Sequence, residues 1–210
     1  MNRLPLTLYM TPGSCSTGIH ILLEELGVPF AAHIVNLPKG EHRQPAYLAI
    51  NPRGTIPALR LEDGSALAGF TAIAYWLARR FPKAGLLPAE ETAVARVLEA
   101  LDYVTGTIHG QGFTRIFTTD AYTTDPVLQP AVQARGREIV AEGFALLAVQ
   151  LGGRDWLVGD AFSIADAALF YVEFWADHLG LPLPAHCRTH FERLRTRPAV
   201  QQVLREEGYR

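Results

Sequence analysis

Cys15 is the side chain whose position most favours chemistry. It lies where a predicted strand over Leu4–Met10 gives way, through a Thr-Pro-Gly-Ser turn, to a predicted helix over Ser16–Leu26. The positive end of a helix dipole and its unpaired N–H groups favour an anion at such a place, and a thiol there tends to have a lowered pKa. Because Gly18 stands where the second cysteine of a Cys-x-x-Cys motif would be, we do not expect a dithiol cycle.

A single thiol can still form a mixed disulfide with a small thiol, or hold a thiolate substrate by hydrogen bonding. The hydroxyl groups of Ser14, Ser16 and Thr17 could do the latter as well. The alternative is that Cys15 is a half-buried small residue beside a helix cap that Ser14 or Ser16 provides. Cys187, the other cysteine, is distant in sequence, and two free thiols are expected in a cytosolic protein.

The step Ile56-Pro57 enters another predicted strand, and both the cis and the trans isomer are open at such a bond. A cis bond would turn the N–H and C=O groups of Ile56 out of the sheet. They could then pair with an extended peptide as an added strand does. A trans proline would only close a loop.

A candidate ligand-facing helix surface carries Asp102, Gly106, His109 and Phe113, whose spacings of four, three and four place them on one face of an α-helix. A carboxylate, a gap, an imidazole and an aromatic ring could form one wall of a binding site. The alternative is a solvated helix side with one histidine. Further aromatic residues that could line an apolar pocket are Tyr103, Phe117 and Trp175.

Two patterns divide the chain. Up to residue 81 the order is strand, helix, strand, then two strands joined by an Asp63-Gly64 hairpin, then a helix over Phe70–Arg80, which predicts a mixed four-stranded sheet. Residues 82–88 are predicted to form a linker, and residues 89–210 are predicted to be entirely helical. The predicted strands after the first are Phe30–Val35, Ala58–Leu61 and Ser65–Leu67, and the predicted later helices are Ala89–His109, Pro130–Leu151, Ser163–Leu179, Ala185–Thr196 and Ala199–Glu207.

The composition is that of an ordinary globular protein. Lysine and arginine number 19 against 21 acidic residues, a net charge of −2, and the two signs are mixed along the chain. We therefore expect no nucleic-acid partner. No apolar run is long enough to cross a bilayer, so we expect no membrane association and a cytoplasmic location.

Four motifs fall in an order that closely resembles the bacterial beta-class glutathione transferases. They are YMTPGSCS from Tyr9, YLAINPRGTIPAL from Tyr47, WLVGDAFSIAD from Trp156 and RPAVQ from Arg197, and together they extend over nearly the whole chain. The resemblance implies a thioredoxin-like N-terminal domain that binds glutathione, a helical C-terminal domain that holds a small apolar electrophile, and a homodimer. Glutathione would be a co-substrate, with no resident cofactor and no metal.

The resemblance also implies roles for single residues. Cys15 resembles the cysteine that contacts the glutathione sulfur, His109 the active-site histidine, and Ile56 the residue before a cis proline whose backbone pairs with the tripeptide. Ser16, Asp102 and Gly106 are further candidates for glutathione binding. Lys39 lies near a lysine of the family, although loop lengths differ there.

One stretch departs from the family. Where relatives carry an acidic and then a small residue before the third helix, this chain has Gly69 and Phe70, at the position that holds the γ-glutamyl end of glutathione. Loss of the counter-charge could weaken binding. Three hypotheses follow: an enzyme that conjugates or reduces electrophiles with glutathione, with a Cys15 mixed disulfide as one route; an enzyme with an altered thiol or substrate preference; or a non-catalytic binding protein. Ser163 and Asp166 resemble the family's capping box, a folding element.

Overall fold

The computed structural model describes residues 5–209 and divides into two compact units. One unit comprises the described residues up to Leu87 together with those from Leu194 onward, and the other is Pro88–Arg193. The sequence-based boundaries place all of 89–210 in the helical domain. The structure differs in the C-terminal segment, which it groups with the α/β unit because the last helix packs on the first one.

The α/β unit is built on the predicted mixed four-stranded sheet. Its strand order is β2-β1-β3-β4, with β2 parallel to β1 and the other neighbours antiparallel. The predicted first residue of β1, Leu4, lies outside the described residues. The strands are β1 Leu6–Met10, β2 Phe30–Ile34, β3 Ala58–Arg60 and β4 Ala66–Ala68.

The helices follow most of the sequence-based bounds. The first and third match them at both ends, whereas the second lies in a stretch for which the sequence predicted neither a helix nor a strand. In chain order the helices are α1 Ser16–Leu26, α2 Pro45–Leu48, α3 Phe70–Arg80, α4 Glu91–Asp102, α5 Thr114–Phe117, α6 Gln129–Leu151, α7 Ile164–His178, α8 Ala185–Arg195 and α9 Pro198–Glu206. Single 3₁₀ turns occur at Glu41–Arg43, Pro82–Ala84 and Thr119–Ala121.

Apolar side chains cover both faces of the sheet at β1 and β3, whereas β2 is mostly exposed. On one face α1 and α3 pack against each other and the sheet, and their inward residues are fully buried: Ile19, Leu22, Leu23, Ile73 and Leu77. A second cluster joins Tyr9 of β1 to Val35, Tyr47 and Ala58. α1 ends at Gly27, whose φ of 59° is the left-handed conformation that favours glycine at a helix end.

The predicted helix Ala89–His109 differs from the observed one in form and length. α4 begins at Glu91, where the Glu90 carboxylate accepts from the N–H groups of Thr92 and Ala93, both at 2.7 Å. After Asp102 the chain continues as a π-helix over Tyr103–Phe113 before α5. The π-helix has i→i+5 hydrogen bonds and therefore a longer turn than the α-helix, which changes the side chains that share a face.

Glycine allows the π-helical segment to approach α6 closely. A methyl group built at Gly143 of α6 would lie 2.6 Å from Cγ1 of Ile108, and one built at Gly112 would lie 2.7 Å from Cγ2 of Val140. Real contacts of that kind do not fall below 3.0 Å. The two elements therefore pack nearly backbone to backbone, which holds His109 on a well-packed support.

A buried polar network connects α7 to α8. The predicted capping box is present: Asp166 accepts from the N–H of Ser163 at 2.8 Å, and Ser163 Oγ accepts from the helix start. Asp166 also accepts from the N–H of Leu157 at 2.7 Å and from Nε2 of His190 at 3.2 Å. His190 Nδ1 donates to Glu173 at 2.9 Å. These side chains are fully buried.

The charges in this network are coupled. Burial by itself lowers the pKa of His190, but the neighbouring Glu173 and Asp166 carboxylates outweigh it and raise that pKa to about 10. Burial raises the pKa of Glu173, against the opposing effect of His190. The imidazolium is therefore the favoured form of His190 at neutral pH.

Candidate active site

Cys15 lies at the N-cap of α1, as predicted, at the end of a turn that main-chain and side-chain hydrogen bonds hold together. Ser14 N–H donates to the Thr11 carbonyl at 3.1 Å, and Thr11 Oγ1 donates to the carbonyl of Val35 at 2.6 Å. Ser16 is fully buried, and its hydroxyl pairs with both main-chain groups of Thr11 and with Ser14 Oγ. Ser16 thus belongs to the framework of the turn, which engages the hydroxyl that the sequence suggested for ligand binding.

The Ile56–Pro57 peptide bond is cis, one of the two isomers that the sequence left open. Within residues 5–209, the N–H of Ile56 donates to no main-chain acceptor, and its carbonyl oxygen accepts only from Cys15 Sγ, at 3.7 Å. The preceding carbonyl, that of Thr55, is held by Tyr47 Oη at 2.6 Å and Asn51 Nδ2 at 2.7 Å. A fixed loop therefore presents the main chain of Ile56 beside the sulfur, with its N–H donating to no main-chain acceptor of the described residues and its carbonyl bound by the thiol.

The expectation of a lowered thiol pKa is wrong for this structure. Burial raises the pKa of Cys15 to about 12, outweighing the opposing hydrogen bonds from its own N–H and that of Ser16. The residue is 8% exposed, and its S–H donates to the carbonyl of Ile56, an interaction that only the protonated form can make. Cys15 is therefore a neutral thiol at neutral pH, and a donor.

The start of α3 lies next to the cis proline. Gly69 N–H donates to the carbonyl of Pro57 at 3.0 Å, and Gly69 is the N-cap of α3 without a side-chain cap. Its φ of 93° is a conformation that L side chains rarely adopt, and a methyl group built there would have open space beyond the adjacent stretch of its own chain. Phe70 is buried. Lys39 is exposed in the turn after β2, where its N–H donates to Asn36 Oδ1 at 3.1 Å.

His109 lies among aromatic side chains in the helical unit. Its Nδ1 is 3.2 Å from Tyr171 Oη, and its ring meets that of Trp175 edge-on at 4.9 Å between centroids. The Trp175 ring also packs edge-on against the rings of Phe113 and Phe117, with 5.2 Å between centroids in each pair. Burial lowers the pKa of His109 to about 4, so this imidazole is neutral at neutral pH. Phe117 is 50% exposed and opens the cluster to solvent.

The predicted common face of Asp102, Gly106, His109 and Phe113 does not form. Phe113 is fully buried and His109 partly so, whereas Asp102 and Gly106 are both exposed. The π-helical segment causes the difference, because its longer turn rotates residues seven and eleven positions after Asp102 away from it. Asp102 and Gly106 remain neighbours, with Asp102 Oδ1 3.9 Å from a methyl group built at Gly106.

The structure brings the predicted residues together in two groups. Cys15, Ser16, Ile56, Pro57 and Gly69 share one end of the sheet in the α/β unit, and His109 lies with the aromatic cluster of the helical unit. Sequence reasoning missed Tyr171, the hydrogen-bond partner of His109. Its spacing of four from Trp175 places both on one face of α7, but no local signal identifies what that face contacts. Both cysteines are free.

None of the helices within residues 5–209 is both long and apolar enough to span a membrane. The chain matches two family models, "Glutathione S-transferase, N-terminal domain" over residues 13–80 and "Glutathione S-transferase, C-terminal domain" over residues 130–206. A thioredoxin-like unit with a thiol beside a cis proline, joined to a helical unit, defines the glutathione-transferase class of proteins.

Similar proteins agree with that class. Glutathione S-transferase GstA of Escherichia coli O157:H7 is 35% identical over 96% of this chain and 98% of its own length. A Sulfitobacter glutathione transferase homologue, solved with bound glutathione, has a TM-score of 0.90 at 31% identity, covering 96% of this chain and 98% of that one. A beta-class glutathione S-transferase of Sphingomonas chungbukensis has a TM-score of 0.83 at 29% identity, covering 96% and 98%. The chain belongs to the glutathione S-transferase family, and the predicted fold, family and enzyme class are confirmed.

Proposed function

We propose that this enzyme conjugates small apolar electrophiles with glutathione, and that the Cys15 thiol donates a hydrogen bond to the glutathione sulfur. The observation that carries the proposal is the 3.7 Å separation between Cys15 Sγ and the carbonyl oxygen of Ile56, next to a cis proline. An extended peptide that paired with the Ile56 edge would present its own cysteine to this thiol.

The neutral state of Cys15 favours conjugation over a mixed disulfide. A thiol whose pKa is about 12 supplies little thiolate to attack a disulfide, but it retains the proton that a donor needs. In the conjugation step the glutathione thiolate attacks the carbon that bears the leaving group. A carbon–sulfur bond forms, the leaving group departs with the bonding electrons, and the thiol proton has already passed to solvent.

The start of α3 fits the charged end of the tripeptide. A helix N-terminus without a side-chain cap favours a carboxylate, and the space beside Gly69 admits one. Lys39, exposed in the turn after β2, would supply a positive charge for a glutathione carboxylate. We place Asp102 of a partner subunit opposite the γ-glutamyl ammonium in a homodimer, because Asp102 and Gly106 are exposed side by side.

His109 and the aromatic cluster would receive the electrophile. Neutral His109 offers a hydrogen bond without a charge, and the ring of Phe117 provides an exposed apolar surface. A role in detoxification follows, because such a surface selects for apolar character rather than for one molecular shape. The cytoplasm would supply glutathione, and no resident cofactor is needed.

The first experiment compares Cys15→Ala and Cys15→Ser, with Cys187→Ala as the matched control. Glutathione binding is titrated, and turnover is measured with an aryl halide and with a mixed-disulfide substrate. A lost hydrogen bond to a charged group corresponds to a fall of about 10- to 100-fold in kcat/KM for Cys15→Ala. Cys15→Ser should retain more activity, since a hydroxyl also donates.

Two results would contradict the proposed role. Unchanged aryl-halide turnover in Cys15→Ala would make the thiol a bystander. A glutathione adduct on Cys15 that forms and disappears during turnover, detected by mass spectrometry, would instead establish the mixed-disulfide route. Size-exclusion chromatography with light scattering tests the homodimer.

A second candidate, an altered thiol preference, is favoured by Gly69, which has no carboxylate of its own for a γ-glutamyl ammonium and has open space beside it within the part of the chain that the structure describes. Titrations with glutathione, γ-glutamylcysteine and cysteinylglycine distinguish the two. Binding of cysteinylglycine as tight as that of glutathione would favour the altered preference. Absence of glutathione binding at millimolar concentration would exclude the first candidate.

A further inference from the structure

The C-terminal segment reaches back to the turn that carries Cys15. Glu207, the residue after α9, has a buried side chain that is 1% exposed. Its Oε2 accepts from the N–H of Gly13 at 2.7 Å and from Thr17 Oγ1 at 2.6 Å, while its Oε1 lies 2.9 Å from His20 Nδ1. One carboxylate thus engages residues on both sides of Cys15.

Further contacts fix the segment that presents this carboxylate. Arg197 binds Glu25 of α1 through two hydrogen bonds of 2.7 and 2.8 Å. The Tyr209 ring lies against Gly13, so that a methyl group built there would be 2.0 Å from Tyr209 Oη. The φ of Gly13, 71°, is a left-handed conformation that favours glycine, and the Tyr209 ring leaves no room for a side chain there. The C-terminal segment therefore packs in direct van der Waals contact with this turn.

These contacts bear on the sulfur through the main chain. Gly13 is two residues before Cys15 and Thr17 two residues after it, so both flanks of the thiol are bound to one carboxylate. Hydrogen bonds to a charged partner are stronger than neutral ones. If the turn shifted, the distance between Sγ and the Ile56 carbonyl would change with it.

We propose that Glu207 is a positioning residue for Cys15: by holding Gly13 and Thr17 it sets the thiol beside the peptide-binding edge of Ile56. The inference deepens the proposed function and rests on it for its kinetic consequences. The competing explanation is that Glu207 only adds stability to the folded unit. The two differ in kinetics measured where every variant is fully folded.

The test uses the full-length chain with three substitutions and one control. Glu207→Ala removes all three contacts, and Thr17→Val removes one of them without changing the volume. Glu207→Gln is the rescue variant, since its amide oxygen can accept from Gly13 and Thr17 while its amide N–H donates to His20. Glu206→Gln is the control, because Glu206 contacts the outer nitrogen of His20 and not the turn.

Kinetics are measured well below each variant's unfolding midpoint. We expect Glu207→Ala to lose about 100-fold in kcat/KM for glutathione, the scale of a misplacement near 1 Å, and Thr17→Val about tenfold. Glu207→Gln and Glu206→Gln should stay close to the parent. Values for Glu207→Ala equal to the parent, with only a lowered midpoint, would overturn the positioning role. If Glu207→Ala does not fold, unchanged kinetics in Thr17→Val overturn it.

A second measurement separates this inference from the proposed function. The alkylation rate of Cys15 by iodoacetamide, followed by peptide mass spectrometry, needs no glutathione. Release of the turn should expose the sulfur and make alkylation about tenfold faster in Glu207→Ala, when the hydrogen bonds no longer oppose local opening. If the parent fails to bind glutathione but the alkylation rates still differ, the proposed function fails and the positioning role stands. Equal alkylation rates in all variants refute the positioning role.

Discussion

Replacing Asp166 by alanine tests the largest concentration of buried polar contacts in the helical unit. Its carboxylate accepts from the N–H groups of Leu157 and Ser163, from the Ser163 hydroxyl at 2.9 Å, and from the imidazolium of His190. Alanine would leave these donors without a partner in a region that water does not reach. It would also remove half of the capping box that begins α7.

The magnitude follows from those contacts. A buried donor left unsatisfied costs about 1–3 kcal/mol, and breaking a buried ion pair costs about 3–5 kcal/mol. The contacts share one carboxylate, so these costs do not add in full. We expect Asp166→Ala to lower the free energy of unfolding by about 3–5 kcal/mol, a large part of the roughly 5–15 kcal/mol that holds a protein folded.

The assay is urea denaturation, followed by tryptophan fluorescence and far-UV circular dichroism. Coincident transitions would justify a single free energy of unfolding. Asp177→Ala is the matched control on α7, because the Asp177–Arg188 pair is at the surface and such pairs contribute about 0–1 kcal/mol. A loss below about 1 kcal/mol in Asp166→Ala, or equal losses in the two variants, would refute the reasoning.

Three further predictions concern packing and ionisation. Gly143→Ala should lower the free energy of unfolding by about 1–3 kcal/mol, since its methyl group would overlap Ile108, whereas Gly106→Ala, in open surroundings, should not; urea denaturation compares them. The His190 pKa of about 10 lies above its ordinary value. The stability that protonated His190 contributes is therefore complete below about pH 6.5 and is lost as the pH rises towards 10. Denaturation across that range should show the fall, and His190→Gln should flatten it. Alkylation of Cys15 should accelerate up to pH 10 without a plateau, because its pKa is about 12; a plateau near pH 7 would contradict this.

Features set by short-range sequence were predictable. The bounds of α1 and α3 follow from apolar spacing and from the residues that end them, and the Asp63-Gly64 hairpin follows from turn chemistry. The isomer of the Ile56–Pro57 bond could not be predicted from the sequence, because an X-Pro bond can adopt either isomer and tertiary contacts determine which one forms.

Features set by distant contacts were not predictable. The pKa of Cys15 depends on its burial in the folded unit, where its sulfur contacts the distant Ile56 carbonyl, and this burial outweighs the N–H groups at the start of α1. Glu207 contacts Gly13, which is 194 residues away in sequence, and no rule of sequence spacing predicts such a contact. The π-helical segment was also not predicted, because the spacing of its apolar residues is that of an α-helix. Its altered pitch accompanies close packing against α6, which the sequence does not reveal.

The corrected pKa of Cys15 changes the chemistry that the site can perform. A site with a pre-formed thiolate would itself carry the nucleophile and would repel a second anionic sulfur. Here the thiol is neutral, it donates to a carbonyl oxygen, and it lies at the N-terminus of a helix whose dipole favours negative charge. Under the proposed function, such a site would accept a negative charge that arrives with the ligand. When a thiolate peptide docks on the Ile56 edge, the S–H can turn from the carbonyl to the incoming sulfur, so the same proton that keeps Cys15 inert would stabilise the nucleophile.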